Sequence, residues 1–212
     1  MPIAKKLILL LIFILISSAQ VFATIVSGHQ EDINMRLDYP LVYLDDKTAQ
    51  DKINTDIAQY VEEAKADYYN NGWHTVILKY DVKYEDDHIL SIVLTRLRDG
   101  GGAHPLDHYF GMVYNKDTGD RVPISNFVNF PSVNQWKRLA GYRYFPAYNW
   151  QWKRVYPMNP ITRVSDDYYL TGHGVFYMIY QSYEFASSAD GIISIEFNPS
   201  NIDYLNRLNN QQ

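Results

Sequence analysis

The chain has 212 residues, with 19 Lys and Arg against 24 Asp and Glu and a formal net charge of −5. This length allows one domain with a sizeable buried core, and a net acidic composition argues against nucleic acid as a partner. The chain contains no Cys, which excludes disulfides, thiol nucleophiles and thiolate metal sites. No cofactor is predicted.

The N-terminal residues have the pattern of a secretory signal peptide. Lys5 and Lys6 precede an apolar run at 7–16, and a small-residue site ends at Ala23. A membrane-spanning helix needs ~20 apolar residues, about twice the length of this run. We therefore predict an exported protein, periplasmic or extracellular, that is cleaved after about Ala23. The alternative is an uncleaved segment, which would give the only membrane association that the sequence predicts.

The first elements predicted in the mature chain are a short strand at 38–44 and a long helix at 48–69. Pro40 lacks a backbone N–H and favours an edge position for the strand. Thr48 and Asp51 resemble a capping box at the helix start, and an Asn-Asn-Gly sequence marks its end. Apolar residues at three- and four-residue steps share one helical face, and these are Ile53, Ile57, Val61, Ala64 and Tyr68.

Beyond this helix the apolar residues alternate with polar ones, which indicates strands. The predicted strands lie at 76–84, 90–97, 106–115, 174–185 and 192–197, and a short helix starts at Pro199. One long N-terminal helix, mainly antiparallel strands and a short C-terminal helix predict an α+β fold, with the helices packed on a mixed or antiparallel sheet. We predict a single domain over 24–212, made of two lobes at about 30–131 and 132–212.

The segment 132–165, called the basic segment below, carries six basic residues, no acidic residue and eight aromatic ones. It has no clean period, so we predict irregular structure with one short helix. Aromatic faces stack on sugar rings and cationic side chains attract anionic polymers, which makes a binding surface one interpretation. The candidate binding residues are Trp136, Arg143, Trp150, Trp152 and Arg154. The other interpretation is that the aromatic residues pack in the core or between the lobes, under the stems of Lys and Arg.

The sequence GGGAHP at 100–105 is the most unusual loop, with Gly101, Gly102 and His104 as its candidate residues. It matches no phosphate-binding pattern, so we predict that its glycines supply a positive φ or a bulge. His104 and His108 would lie about 13 Å apart on a strand that rises ~3.3 Å per residue. That is too far for one metal ion, and no metal site is predicted. No nucleophile elbow is present, and no catalytic residue is assigned.

Three stretches together resemble a family of exported bacterial domains of unknown function, DUF4163 and DUF3298. They are the GGGAHP loop, DTGDRVPISNF at 117–127, and the stretch from Tyr169 to Phe197 with YLT, YEFA and GIISIEF. Such domains occur in PdaC-type peptidoglycan deacetylases and in RsiV-type anti-sigma factors. The resemblance covers nearly all of the mature chain and implies an α+β fold that faces the cell envelope. In the anti-sigma relatives the domain binds lysozyme, and in the deacetylases it accompanies a separate catalytic domain.

Two departures from these relatives bear on function. Few residues precede the apolar run, so no sigma-binding part is expected, and no deacetylase metal motif follows the last stretch. We therefore predict a non-catalytic exported binding domain that recognises an envelope component such as peptidoglycan, or a protein such as lysozyme. The alternatives are a peptidoglycan-active enzyme with its site near His104, and a structural or assembly role. Exposure of Trp150 and Trp152 would discriminate between a binding surface and core packing.

Overall fold

The computed structural model of the protein describes residues 23–209. This part of the chain contains ten strands and three α-helices, which confirms the predicted α+β class. The strands form two sheets of five strands each. None of the helices in this part is long and apolar enough to cross a membrane. The predicted signal peptide and most of its cleavage site lie outside the described residues.

The first sheet contains the five N-terminal strands in sequence order. They are β1 (Thr24–Asp32), β2 (Met35–Tyr43), β3 (Thr75–Glu85), β4 (Ile89–Asp99) and β5 (Leu106–Asn115). Neighbouring strands are antiparallel except β2 and β3, which are parallel. The connection between these two contains the long helix α1 (Lys47–Tyr69), as a parallel crossover requires. The predicted strands at 76–84, 90–97 and 106–115 are confirmed.

Strand β2 begins earlier than predicted and is not the edge of its sheet, because β1 pairs with it along its whole length. Pro40 is nevertheless accommodated, since β3 pairs with β2 only as far as Leu37. Val42, two residues further on, points its N–H at the Oδ1 of Asn54 in α1 (2.9 Å). Residues two apart in a strand point their N–H groups to the same side. An N–H on residue 40 would therefore point to the side of β2 where no strand pairs with it at this position, so Pro40 breaks no strand pairing.

Helix α1 packs on one face of the first sheet, with Ile53, Ile57, Val61 and Ala64 buried. The predicted apolar face is thereby confirmed, and each fully buried aliphatic side chain contributes about 1.5–3 kcal/mol. The predicted capping by Thr48 is wrong. The carboxylate of Asp46 accepts a hydrogen bond from the N–H of Ala49 (3.0 Å), and Asp is the better N-cap.

The second sheet is antiparallel, in the order β7-β6-β10-β9-β8. Its strands are β6 (Ala147–Tyr148), β7 (Arg154–Val155), β8 (Tyr168–Gly172), β9 (Val175–Tyr180) and β10 (Ile193–Phe197). The short helices α2 (Val133–Trp136) and α3 (Pro199–Asn209) accompany it. The strand predicted at 174–185 ends at Tyr180, because the chain turns through Tyr183 at a φ of 71°. Strand β8 was not predicted.

The second core is largely aromatic and lies on the face of this sheet that carries Phe176 and Phe197. These two rings stack with centroids 4.5 Å apart, and Phe197 also stacks on Trp136 at 5.6 Å. Trp136 is 0% exposed, and its Nε1–H donates to the hydroxyl of Tyr180 at 2.8 Å. The prediction that Trp136 contacts a ligand is therefore wrong, since this side chain is a satisfied member of the core.

The two sheets meet where β8 crosses the face of β3, β4 and β5 that α1 leaves free. At the crossing, a Cβ on Gly111 of β5 would overlap the backbone oxygen of Tyr168 and lie 2.6 Å from its carbonyl carbon. The N–H of Leu170 donates to the hydroxyl of Ser91 in β4 (2.9 Å). The backbones can approach this closely only because residue 111 has no side chain.

We expect Gly111→Ala to lower the free energy of unfolding by about 3 kcal/mol, because the added methyl group forces the two strands apart. Gly102→Ala is the matched control, since a Cβ there would meet nothing within 4 Å. Urea denaturation of both variants measures the difference. Equal stabilities would contradict the assigned backbone contact.

A second prediction concerns Asp167, which is half-buried beside this crossing. Burial raises the pKa of Asp167, although the N–H of Gly111 and the charge of Arg163 act in the opposite direction. A raised pKa in the folded state means that ionisation of this carboxyl costs stability as the pH rises through it. We therefore expect Asp167→Asn to be more stable than the natural protein at pH 7.

This stability gain should disappear as the pH falls below the ordinary range of carboxyl groups, where Asp167 is protonated in both the folded and unfolded states. Urea denaturation at several pH values between 3 and 7 measures it. Asp166→Asn is the control, because Asp166 is exposed. A gain that is independent of pH would contradict the explanation by ionisation.

Candidate binding cleft

Four aromatic side chains form a row across the second sheet, on the face opposite its large aromatic core. The ring centroids of Tyr148 and Trp152 are 5.9 Å apart, those of Trp152 and Tyr177 are 5.5 Å apart, and those of Tyr177 and Tyr169 are 5.3 Å apart. We call these four residues the aromatic row. The row runs from the β6–β7 hairpin through β9 to β8, so three parts of the sheet position it.

Strand register explains why these rings share a face. Tyr169 lies directly opposite Tyr177 in the β8–β9 ladder, and Tyr148 lies opposite Ser194 in the β6–β10 ladder. Residues directly opposite in an antiparallel pair point to the same side of the sheet. At the β8 end this face packs on the first sheet, where Tyr169 and Val93 share a small buried cluster. At the hairpin end it is open.

The open part is a cleft of about 240 Å³ between the two sheets. The first sheet provides Asp81, Lys83, Val93, Thr95 and Tyr109, and the second provides Asn149, Trp150, Trp152, Tyr169, Ile192 and Ser194. We call this space the aromatic cleft. It joins large apolar rings with hydroxyl, amide and charged groups, which is the mixture that small-ligand sites use for affinity and orientation.

The two tryptophans at the cleft are exposed, Trp150 at 61% and Trp152 at 60%. Trp150 lies against Gly191, where an added Cβ would come within 3.1 Å of the Trp150 Cδ1. Trp152 has a φ of 57°, a left-handed conformation that is unfavourable for a bulky residue. The side chain of Asn149 fixes the turn by accepting from the N–H groups of Gln151 and Lys153, both at 3.0 Å. The hairpin therefore holds two large apolar rings in solvent.

Polar groups line the floor of the cleft. The ammonium of Lys83 lies 5.5 Å from the centroid of the Tyr169 ring and pairs with the carboxylate of Asp81. The hydroxyl of Tyr169 donates to Ser194 at 3.5 Å. Burial raises the pKa of Tyr169 to about 12, so this hydroxyl stays protonated and can donate at neutral pH. The charges of Lys83 and Asp81 compensate each other, which leaves a nearly neutral site.

The structure does not bring the predicted binding residues together in one place. Only Trp150 and Trp152 line the aromatic cleft. Arg154 donates to the backbone oxygen of Tyr142 at 3.0 Å. The guanidinium of Arg143 lies 5.7 Å from the ring centroid of Tyr144. Adjacency in the basic segment could not distinguish these locations, because a hairpin and its flanking loops send neighbouring side chains in different directions.

The GGGAHP loop joins β4 to β5 and is exposed. Gly101 has a φ of 80°, which confirms the prediction that a glycine there supplies a positive φ. Its N–H donates to the carboxylate of Asp99 at 2.7 Å, and a Cβ would lie 3.0 Å from the Nδ1 of His74. Gly102 and His104 are exposed. Within 23–209 no group of three or more His, Asp or Glu side chains is placed to hold a metal ion.

His108 lies in β5, where its ring stacks on Phe110 with centroids 4.3 Å apart. Burial lowers the pKa of His108, and the neighbouring charges of Arg96 and Arg98 lower it further. His108 is therefore neutral at pH 7 and part of the packing between β5 and its neighbours. Neither His104 nor His108 lines the aromatic cleft.

Sequence reasoning missed Tyr169, Tyr177 and Lys83 as candidate site residues. Tyr169 and Tyr177 are both within stretches recognised for their strand pattern or family resemblance, but their shared face becomes evident only once the β8–β9 register is known. The nearest available signal was the Gly-His-Gly turn between them, which is typical of a tight hairpin. Lys83 carried no signal, because the Tyr169 ring that it faces comes from the other sheet.

Comparison with known proteins supports the predicted resemblance. The family model described as deacetylase PdaC matches residues 26–107. A DUF3298 family protein from Pseudomonas aeruginosa PAO1 superposes with a TM-score of 0.53 and 11% identity, over 86% of this chain and 93% of that chain. A member of the DUF3298 family from Bacteroides fragilis NCTC 9343 superposes with a TM-score of 0.53 and 11% identity, over 89% and 94%. No curated protein matches the sequence.

These findings confirm the resemblance to the PdaC and DUF3298 domains. At this low identity, the two solved structures establish a shared fold. The family match covers the first sheet from β1 to the start of β5. The family match indicates a domain associated with the cell envelope.

The strain at Trp152 gives a testable prediction. A left-handed conformation costs a non-glycine residue roughly 1–2 kcal/mol, so Trp152→Gly removes strain at the same time as it removes a half-exposed ring. We expect its free energy of unfolding to stay within about 1 kcal/mol of the natural protein. Trp150→Gly is the control, because a glycine there relieves no such strain. We expect the Trp150→Gly variant to be clearly less stable than the Trp152→Gly variant. If urea denaturation gives the opposite order, the conformation assigned to Trp152 is wrong.

Proposed function

We propose that this protein is a non-catalytic, exported binding domain that holds a glycan segment of an envelope polymer such as peptidoglycan in the aromatic cleft. The observation that supports this proposal is the pair of exposed tryptophans at the open end of the aromatic row. Isolated exposed apolar residues are common on protein surfaces, but large rings held over a polar cleft by a fixed hairpin are typical of recognition sites.

The chemistry of the cleft matches a sugar better than a charged polymer. The faces of a pyranose ring carry C–H groups that pack on aromatic rings, whereas its edges carry hydroxyl and amide groups that need hydrogen bonds. Trp150 and Trp152 supply the ring faces, and Asn149, Ser194 and Thr95 supply donors and acceptors at the floor. Tryptophan has only two side-chain torsions, so ordering it on a ligand costs little entropy.

A protein partner such as lysozyme is the second candidate from the resemblance, and it would use the same exposed rings, since Trp is enriched among residues that dominate interface energies. The enzyme alternative near His104 has less support, because the Gly101 backbone explains the glycines and His104 is exposed. One set of variants can separate these possibilities.

We expect Trp150→Ala and Trp152→Ala each to weaken binding to insoluble peptidoglycan about tenfold, because each removes a large contact ring. Sedimentation of the protein with purified peptidoglycan, followed by quantification of the unbound fraction, measures the effect. Tyr43→Ala is the matched control, since Tyr43 is an exposed aromatic residue (46%) at the end of β2 and should leave binding unchanged.

Two parallel measurements on the same variants, retention on lysozyme and release of peptidoglycan fragments, could exclude the proposal. Retention on immobilised lysozyme but not on peptidoglycan, with the same dependence on the two tryptophans, would favour the protein partner. Release of soluble fragments from peptidoglycan that His104→Ala abolishes would favour the enzyme. If the natural protein and the Tyr43→Ala variant bind neither target, the function proposed for the aromatic cleft is wrong.

A further inference from the structure

A second cavity, of about 420 Å³, lies beside the turn of the β8–β9 hairpin and shares no lining residue with the aromatic cleft. Its walls are mainly apolar and comprise Ile89, Phe127, Leu170, Val175, Phe176 and Ile202. Its mouth carries Asp86, His173 and Asp203. From this arrangement we propose that the cavity binds an organic cation, namely an amine carried on an apolar body.

The hairpin turn shapes one wall of this cavity. Gly172, His173 and Gly174 all have positive φ, at 88°, 53° and 72°. A Cβ on Gly172 would lie 3.0 Å from the ring of Tyr84, and a Cβ on Gly174 would lie 3.2 Å from the ring of Pro199. The two glycines therefore let the turn lie directly against the cavity walls, and a non-glycine residue held in this conformation is unusual outside functional or tightly determined turns.

The volume and the lining determine the apolar part of the ligand. Ligand cavities typically enclose roughly 300–1,000 Å³, so this one can hold a short alkyl chain or a single aromatic ring. Five of the six apolar wall residues, all except Phe176, are only partly buried. A ligand would remove their remaining apolar surface from water, which contributes about 25 cal/mol per Å².

The carboxylates at the mouth determine the charged part of the ligand. Asp86 accepts hydrogen bonds from the hydroxyl of Tyr84 (2.8 Å) and from the N–H groups of His88 (2.8 Å) and Ile89 (2.7 Å). Burial acts to raise the pKa of Asp86, but these hydrogen bonds outweigh it and lower the pKa. Asp86 is therefore ionised and fixed in position, and the exposed Asp203 adds a second negative charge.

The cavity also touches the start of α3, where a helix N-terminus would ordinarily favour an anion. Here Asn198 accepts from two of the N–H groups at the helix start. Pro199 has no N–H, the N–H of Asn201 donates to the Oδ1 of Asn198 (3.1 Å), and the N–H of Ile202 donates to the backbone oxygen of Asn198 (3.0 Å). The mouth therefore carries two carboxylates beside the exposed His173, with the Lys116 ammonium held by the backbone oxygen of Asp86 and the carboxylate of Glu85. The carboxylates favour an amine over a carboxylate as the ligand.

The test compares three probes of equal chain length, n-octylamine, n-octanol and octanoate, by titration of the full chain followed by NMR shifts and calorimetry. We expect octylamine to bind most tightly, at least threefold more tightly than octanol, and octanoate most weakly. The largest shifts should fall on Val175, Phe176 and Ile202. Asp203→Asn should reduce the preference for amine over alcohol about threefold, the effect of one exposed charge.

Two further variants complete the design. Asp51→Asn removes an exposed carboxylate of α1 that is not part of this cavity, so it should leave the preference unchanged and controls for the net charge of the protein. Ile202→Trp should fill the cavity and abolish binding of both neutral and charged probes. If this variant does not fold, the NMR shifts of the natural protein still show whether the probe binds in the cavity. Equal affinity for the three probes, tighter binding of octanoate, or shifts away from the cavity would each overturn the proposal.

Discussion

The packing of the two sheets on each other depends on how the edge of β5, the last strand of the first sheet, is covered. An edge strand leaves backbone donors and acceptors unpaired, and such an edge is prone to pairing with other chains. Here Gln181 donates to the oxygen of Tyr109 (2.7 Å) and accepts from its N–H (3.0 Å). Arg121 donates to the oxygen of Gly111 (3.0 Å), and the N–H of Val122 donates to the oxygen of Val113 (2.8 Å). The loop after β5 and the second sheet thus satisfy the edge with side chains and a short backbone segment in place of a sixth strand.

This covered edge determines where the aromatic cleft opens. The contacts at Gly111 and Gln181 hold the β8–β9 end of the second sheet directly on the first, with no room for a side chain between Gly111 and Tyr168. The β6–β7 end lies three strands away in the sheet order and has no comparable contact, so the sheets diverge towards it. The aromatic row follows this divergence, from the buried Tyr169 to Trp152, which is 60% exposed. One close backbone contact therefore produces both the buried and the open part of the same face.

The sequence predicted what local periodicity controls. The buried face of α1 follows from the spacing of Ile53, Ile57 and Val61, and the β3–β4 hairpin follows from alternation in β3 and a largely apolar return strand, because both patterns report on nearest neighbours in the same element. The short strands of the second sheet could not be predicted in this way. Tyr148 pairs with Ser194, far later in the chain, so the two-residue strand β6 depends on a long-range partner. Likewise, the number of aromatic residues in the basic segment predicted a binding surface but not where each side chain points. Trp136 points inward, whereas Trp150 and Trp152 point outward.

The charges of the basic segment were equally hard to interpret from the sequence, because it does not reveal which partners a cation has in the folded chain. The basic segment looks like a surface for an anionic polymer as long as its cations are assumed to be available to a ligand. In the folded chain Arg163 forms two hydrogen bonds with the carboxylate of Glu184, at 3.0 and 3.1 Å, and Arg154 binds a backbone oxygen. A guanidinium that already has such partners gains less from a new anion, because binding must first break or share existing hydrogen bonds. Among the aromatic and cationic residues of this segment, the two that line the aromatic cleft are Trp150 and Trp152. Recognition by ring faces, at a cleft whose charged lining residues Asp81 and Lys83 compensate each other, therefore explains this surface better than recognition by charge.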